Sequence, residues 1–223
     1  MHQAPQPTPA DRPLRYLALG DSYTIGEGVD PGGAWPMQLA RALRAEGLAV
    51  ADPQVIATTG WTTDELDAAI NAAAPPADFD LASLLIGVNN QYRGRDAGEY
   101  GRHFGALLER TIGFAGGNPG RAFVLSIPDW GVTPFAAGSG RDQAAIGREL
   151  DAFNATARAQ CRARGVAFVD ITPVSRARGA EKRMLAGDGL HPSALMYAQW
   201  SALALPVVRG LLQAPPQTPP APV

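Results

Sequence analysis

Five short apolar runs punctuate the chain, separated by longer segments whose apolar residues recur at helical spacing. Arg15-Tyr16-Leu17-Ala18-Leu19 is the first run, and Gly20 ends it. Val55-Ile56-Ala57-Thr58 is the second, Leu81–Ile86 the third and most continuous, Ala122–Ile127 the fourth and Val166–Val169 the fifth. Short apolar runs bounded by turn-forming residues read as strands buried on both faces, the habit of parallel sheets. Helices are predicted between them. Ala34–Glu46 has Pro36 in its first turn and closes at Gly47. Thr62 opens a second helix, with Glu65 in the capping-box position. Asp96 and Glu99 begin a third, on which Tyr100, Phe104, Leu107, Leu108 and Ile112 share a face. Asp142–Arg164 carries Ile146, Leu150, Phe153, Ala157 and Cys161 on one side and stops at Gly165. Ser193 caps the last helix, in which Pro206 is expected to place a kink.

The stretch after Gly20, the loop containing Tyr92, Pro128–Gly140 and Pro173–Gly187 carry no helical pattern and are expected to be irregular. Met1–Pro13 and Gln213–Val223 are polar and proline-rich. They are expected to form disordered or extended tails around one domain spanning 14–212, because they lack the apolar surface to offset ordering entropy. Alternating strands and helices imply right-handed crossovers and helices on both sheet faces. The expected fold is α/β: a three-layer α/β/α sandwich with a five-stranded parallel sheet, flavodoxin-like. The carboxyl edge of that sheet would gather Ser22, Gly60, Asn89, Trp130 and the loop before His191.

Composition removes several classes of function. The 223 residues are 46% hydrophobic and 18% charged, with net charge −2. That balance gives no electrostatic case for nucleic acid or for an anionic membrane. No uninterrupted apolar stretch reaches membrane-spanning length, and no basic segment followed by an apolar run marks a signal peptide. A cytoplasmic location is expected, with an exported mature chain as the alternative. The one cysteine, Cys161, excludes an internal disulfide and a cysteine-based zinc site, and reads as a core residue. His2, His103 and His191 are too scattered for a metal cluster, so neither metal nor cofactor is expected.

The residues able to do chemistry fall in four separated blocks. Gly20-Asp21-Ser22 follows the first strand and presents a hydroxyl where open α/β sheets bind ligands. A serine becomes a nucleophile only with a base in reach and a stabilised oxyanion. Asp188-Gly189-Leu190-His191 offers that base, with Gly187 and Gly189 permitting a turn tight enough for the carboxylate to hold the imidazole. Gly60 offers a backbone N–H with no side chain to block approach, Asn89 a side-chain amide, and Ser22 its own N–H: three donors for a developing oxyanion. Tyr23, Ile25, Trp61, Asn90, Tyr92, Trp130 and Phe135 are candidate pocket residues, and Arg93 or Arg95 could meet a phosphate.

These blocks occur in the order, and at the strand ends, of a known family: over roughly Arg15 to Leu212 the chain resembles the SGNH hydrolases, also called GDSL-type lipases and esterases. The resemblance implies hydrolysis of esters or thioesters through an acyl-serine, on short-chain acyl, aryl or lysophospholipid-type substrates. It implies Ser22 as nucleophile, His191 as base and then acid, and Asp188 as its orienter, with Ser22, Gly60 and Asn89 as oxyanion donors. Tyr23 stands where the name motif has leucine, and Asn90 where the third block usually has aspartate. The Gly-x-Ser-x-Gly elbow of α/β-hydrolases is absent, and Gly138-Ser139-Gly140 lacks its spacing. Two alternatives stand beside this reading. One is an acyltransferase using the same acyl-serine. The other is a non-catalytic flavodoxin-like module whose Gly20–Gly33 loop cradles a phosphate or carbohydrate, although no Gly-x-Gly-x-x-Gly or P-loop spacing is present.

Overall fold

Each of the five apolar runs becomes a strand of one parallel sheet, in spatial order β2-β1-β3-β4-β5. The strands of this computed structural model, which describes residues 12–214, are β1 Tyr16–Gly20, β2 Gln54–Ala57, β3 Leu81–Leu85, β4 Ala122–Leu125 and β5 Ala167–Val169. β1 pairs on both sides, with Leu19 opposite Ile56 of β2 and Leu84 of β3. Every residue of β1, β3 and β4 is buried, which is why these segments show no polar alternation. The edge strand β2 exposes Gln54 and Val55. The proline-rich tails predicted for 1–13 and 213–223 lie outside the described residues, save positions 12, 13, 213 and 214.

Nine α-helical segments follow in chain order among the described residues: α1 Ser22–Ile25, α2 Trp35–Ala45, α3 Thr63–Ala73, α4 Val88–Tyr92, α5 Ala97–Phe114, α6 Pro134–Gly138, α7 Gln143–Arg164, α8 Thr172–Arg178 and α9 Ala194–Gln213. α2 packs on α9 over one face of the sheet, and α3, α5 and α7 pack side by side over the other. The three-layer sandwich read from the sequence is therefore the fold. Long helices appear where their periodicity placed them. Asp96 caps α5, Asp142 caps α7 and Ser193 caps α9 through side-chain oxygens that accept from first-turn amides. Glu65 accepts from the Thr62 amide at 2.8 Å, completing the capping box of α3.

One expectation changes. Four stretches expected to be irregular hold the short helices α1, α4, α6 and α8, each too brief to display a hydrophobic period. Pro134 and Pro173 sit in the first turns of α6 and α8, where a missing N–H costs nothing. α9 continues through Pro206, which lies on its exposed side, so the carbonyl of Ala202 that it orphans can turn to water. By length and composition α9, with mean hydropathy 1.2, could also cross a membrane. Its Met196, Tyr197, Trp200, Ala204 and Val208, however, are buried in the core.

Ala74 is the only non-glycine residue with positive φ among those described, at +41°, where it ends α3 in a left-handed cap. A Cβ there costs about 1 kcal/mol, and glycine removes that cost at an exposed site. Ala74→Gly is expected to raise the thermal midpoint by about 1–4 °C; a lowered midpoint in calorimetry would contradict the assigned cap.

Candidate active site

The strand order 2-1-3-4-5 reverses between β1 and β3, so the chain leaves these neighbours toward opposite edges and opens a crevice beyond their carboxyl ends. Ser22 follows β1 directly, and Val88 and Asn89 begin the helix after β3. Ser22 is the first residue of α1. Asp21 caps that turn, its Oδ1 accepting from the Tyr23 amide at 3.0 Å. The amide at such a position has no partner within its helix and is free to donate elsewhere. Gly20 is required by space, since a Cβ there would strike Thr24 Oγ1 and the Leu85 carbonyl.

Asp188 and His191 come from one turn before α9. A single carboxylate does two jobs: Oδ1 accepts from the Leu190 and His191 amides at 2.9 and 3.0 Å, and Oδ2 meets His191 Nδ1 at 2.5 Å. The first pair shapes the backbone and the second orients the ring. A carboxylate partner keeps the proton on Nδ1 and leaves Nε2 free. The strap is held at its base by Ala186 N–H donating to the His191 carbonyl at 2.7 Å. It is held at its tip by Phe135 N–H donating to the Gly189 carbonyl at 3.2 Å. The Tyr23 ring lies 5.9 Å from both the His191 and Trp200 rings and backs the imidazole against the core. Partial burial alone would raise the Asp188 carboxyl, but the His191 ring and the two amides outweigh it and hold it below its ordinary value.

Gly60 and Asn89 are brought together by α4, which grips the loop before α3 at three points. Asn89 Nδ2 donates to the Trp61 carbonyl at 2.9 Å, leaving its second amide hydrogen uncommitted. Arg93, one residue past α4, donates to the Gly60 carbonyl at 2.8 Å. Asn90 is fully buried and bonds Thr63 twice: its Oδ1 accepts from the amide at 3.0 Å and its Nδ2 donates to the hydroxyl at 2.8 Å. The amide thus ties α4 directly to the first residue of α3, where a carboxylate stands in the resembling family. Gly60 holds φ at +88°, a conformation open to glycine, and a Cβ there would point into empty space. Across the mouth, Thr59 Oγ1 donates to Glu27 and ties this loop to the one that follows Ser22.

A cavity of about 240 Å³ lies where these loops meet. Ser22, Gly60, Asn89 and His191 all line it, and Tyr23, Tyr92, Trp130 and Phe135 supply aromatic wall. Three expected pocket residues lie elsewhere. Ile25 sits at the exposed end of α1, on a separate groove with Val55. The Trp61 ring packs against the core and only its carbonyl serves the site. Asn90 is buried behind the wall. Arg93 and Arg95 pair with Glu65 and Asp64. Thr59, Val88 and Leu190 line the cavity without having been anticipated. Each adjoins a singled-out residue in sequence, and that adjacency is the signal that would have found them. Among the described residues, no three His, Cys, Asp or Glu side chains converge to hold a metal ion.

Asp21 is the one carboxyl beside the serine that water does not reach, and its Oδ2 has no hydrogen-bond partner. Burial pushes it from 3.8 up to about 7, with the Tyr23, Asp21 and Gly87 amides drawing it only partly back. Between those values folding takes up a proton, so stability falls as pH rises through that window. Wild type is expected to lose on the order of 2–4 kcal/mol relative to Asp21→Asn between about pH 4 and pH 8. Urea midpoints of both proteins at the two pH values check this; parallel pH dependences would contradict it.

Residues 18–199 match the GDSL-like Lipase/Acylhydrolase family. No curated protein matches the chain. Among solved structures, the lipase Lip_vut3 from a goat rumen metagenome is 19% identical with TM-score 0.70, covering 90% of this chain and all of that one. The lipase/acylhydrolase from Enterococcus faecalis is 21% identical with TM-score 0.64, covering 92% of this chain and 100% of its own. The psychrotrophic esterase EstA from Pseudoalteromonas sp., in a structure inhibited by monoethylphosphonate, is 14% identical with TM-score 0.64, covering 90% and 99%. Fold, motif order and the extent of the match agree: the chain belongs to the GDSL-like lipase/acylhydrolase family and is a GDSL-type carboxylic ester hydrolase.

Proposed function

We propose that the cavity cleaves short acyl or aryl esters through an acyl-serine formed on Ser22. The observation that carries this reading is the Asp188–His191 turn, built by one carboxylate and facing the cavity that Ser22 also lines. His191 Nε2 takes the Ser22 hydroxyl proton as Oγ bonds to the ester carbonyl carbon, and the carbonyl electron pair moves onto oxygen. That oxyanion is met by the Ser22 and Gly60 amides and the uncommitted Asn89 hydrogen. Collapse expels the alcohol, which leaves with the proton from His191. Water then repeats the sequence, releasing the acid and restoring Ser22. Asp188 holds the imidazole in the required tautomer and balances its charge once protonated. A cavity of about 240 Å³ with predominantly aromatic and aliphatic walls suits a small apolar group; sites for drug-sized ligands start at about 300 Å³.

The test is mass spectrometry of intact protein after treatment with a fluorophosphonate, beside an ester assay. Wild type should gain one adduct on Ser22, and Ser22→Ala should lose both adduct and turnover while unfolding at a similar temperature. Asn89→Ala keeps the nucleophile, so it should still be labelled while turnover drops about 10²–10³-fold. No adduct on folded wild-type protein would overturn the reading.

A further inference from the structure

The aromatic wall of the cavity is held from behind by a polar assembly that the acyl-transfer chemistry does not use. Tyr92 and Trp130 meet edge to face with centroids 5.4 Å apart, and Phe135 lies 6.2 Å from Trp130. Trp130 is buried, so its indole N–H needs a partner. It donates to Gln91 Oε1 at 2.8 Å. Gln91 is itself only 1% exposed, and its Nε2 donates to Glu149 Oε2 at 2.5 Å. Glu149, on α7, also receives Arg141 Nη2 at 3.3 Å. Arg141 returns to the wall: Nη1 donates to the Tyr92 carbonyl at 3.2 Å. Its guanidinium lies 5.6 Å from the Tyr92 ring centroid and 5.2 Å from that of Trp130.

The assembly thus closes on itself, from indole to amide to carboxylate to guanidinium and back to both rings. Gln91 stands two residues after Asn89 on the same short helix, so the clamp also fixes α4 against α7. The Trp130 ring cannot turn away without leaving its buried indole N–H unpaired, a larger loss than a rotamer change. The half-exposed Tyr92 ring rests edge to face on Trp130 and beneath the Arg141 guanidinium, with its backbone carbonyl tied to the same arginine. A wall anchored at Trp130 makes the cavity's size a selection rule.

We infer that Gln91, Glu149 and Arg141 are specificity-determining positioning residues, which hold Tyr92 and Trp130 in place and so cap the bulk of the ester group accepted on that side of the cavity. The inference rests on the ester-hydrolase reading of the same site. In a rigid apolar pocket one methylene changes the specificity constant by about 10–200-fold. Releasing the wall should therefore show as a change in preference, not as a uniform loss.

The experiment uses Gln91→Leu and, because that variant removes two buried bonds, also the more exposed Arg141→Met and Glu149→Gln. Two ester panels are assayed on the full chain, one lengthening the acyl chain from acetate to octanoate at a fixed leaving group, the other enlarging the alcohol at fixed acetate. The ratio of kcat/KM for the six-carbon or larger member to the smallest should rise about tenfold or more in one of the two panels, chiefly through KM. In parallel, hydrogen exchange of the Trp130 indole N–H, assigned by its loss in Trp130→Phe, should be slow in wild type and faster in Gln91→Leu. Variants that fold and keep the wild-type ratios in both panels would overturn the inference, as would a fast-exchanging indole in wild type. A wild type that turns over no ester in either panel while its indole stays protected would remove the hydrolase reading, and the selectivity with it. Unchanged ratios on an active wild type remove only the selectivity.

Discussion

The pairing of β1 with β3 is the contact on which the rest of the molecule depends. Parallel strands cannot be joined by a tight turn, so each must be followed by a crossover that returns over a sheet face. From β1 the chain goes out to β2, and from β3 it goes the other way to β4. Two neighbouring strands whose continuations diverge leave a gap at their carboxyl ends that no connection fills. Ser22 stands on one lip of that gap and Asn89 on the other.

The loops at that edge are held by side-chain bonds that reach across sequence. Asn89, Asn90 and Arg93 fasten the segment from Gly60 to Thr63, so a glycine in a left-handed conformation is fixed without any side chain of its own. The Asp188 strap is self-contained by contrast, and its one carboxylate folds the turn that aims the ring. The two halves of the site are therefore stabilised differently: the Asp188–His191 turn is organised locally and the Gly60–Asn89 side is organised by tertiary contacts. Asp21 lies between them. The cap it gives α1 shapes the turn that carries Ser22, at the cost of a buried carboxyl without full hydrogen bonding.

Behind this edge of the sheet, polar groups continue to set geometry where apolar packing alone would leave freedom. Gln91 is a buried amide with both ends satisfied, and it joins a wall of rings to an ion pair at the surface of α7. Networks of this kind rigidify what they surround because each member depends on its neighbours. They also explain how a cavity formed by short helices and loops can keep a defined shape.

Hydrophobic patterning by itself determined the sheet and the long helices. The Leu81–Ile86 run and the Ile146, Leu150, Phe153, Ala157 face can be buried in one way only, and caps such as Asp96 and Ser193 act within a single turn. The order of the four blocks likewise made Ser22, Gly60, Asn89, Asp188 and His191 legible as a constellation, because each stands at a strand end or beside a cap. Tertiary structure alone decided the rest. Four- to seven-residue helices such as α1, α4 and α8 have no room for a hydrophobic period, so their existence follows from what packs on them. Whether Trp61 or Leu190 faces the cavity depends on loop direction, which is set by bonds between residues 28 to 58 positions apart, such as Asn89 to Trp61 and Gln91 to Glu149. Local sequence carries propensity and periodicity; it carries no record of which distant donor will meet which acceptor once the chain has closed.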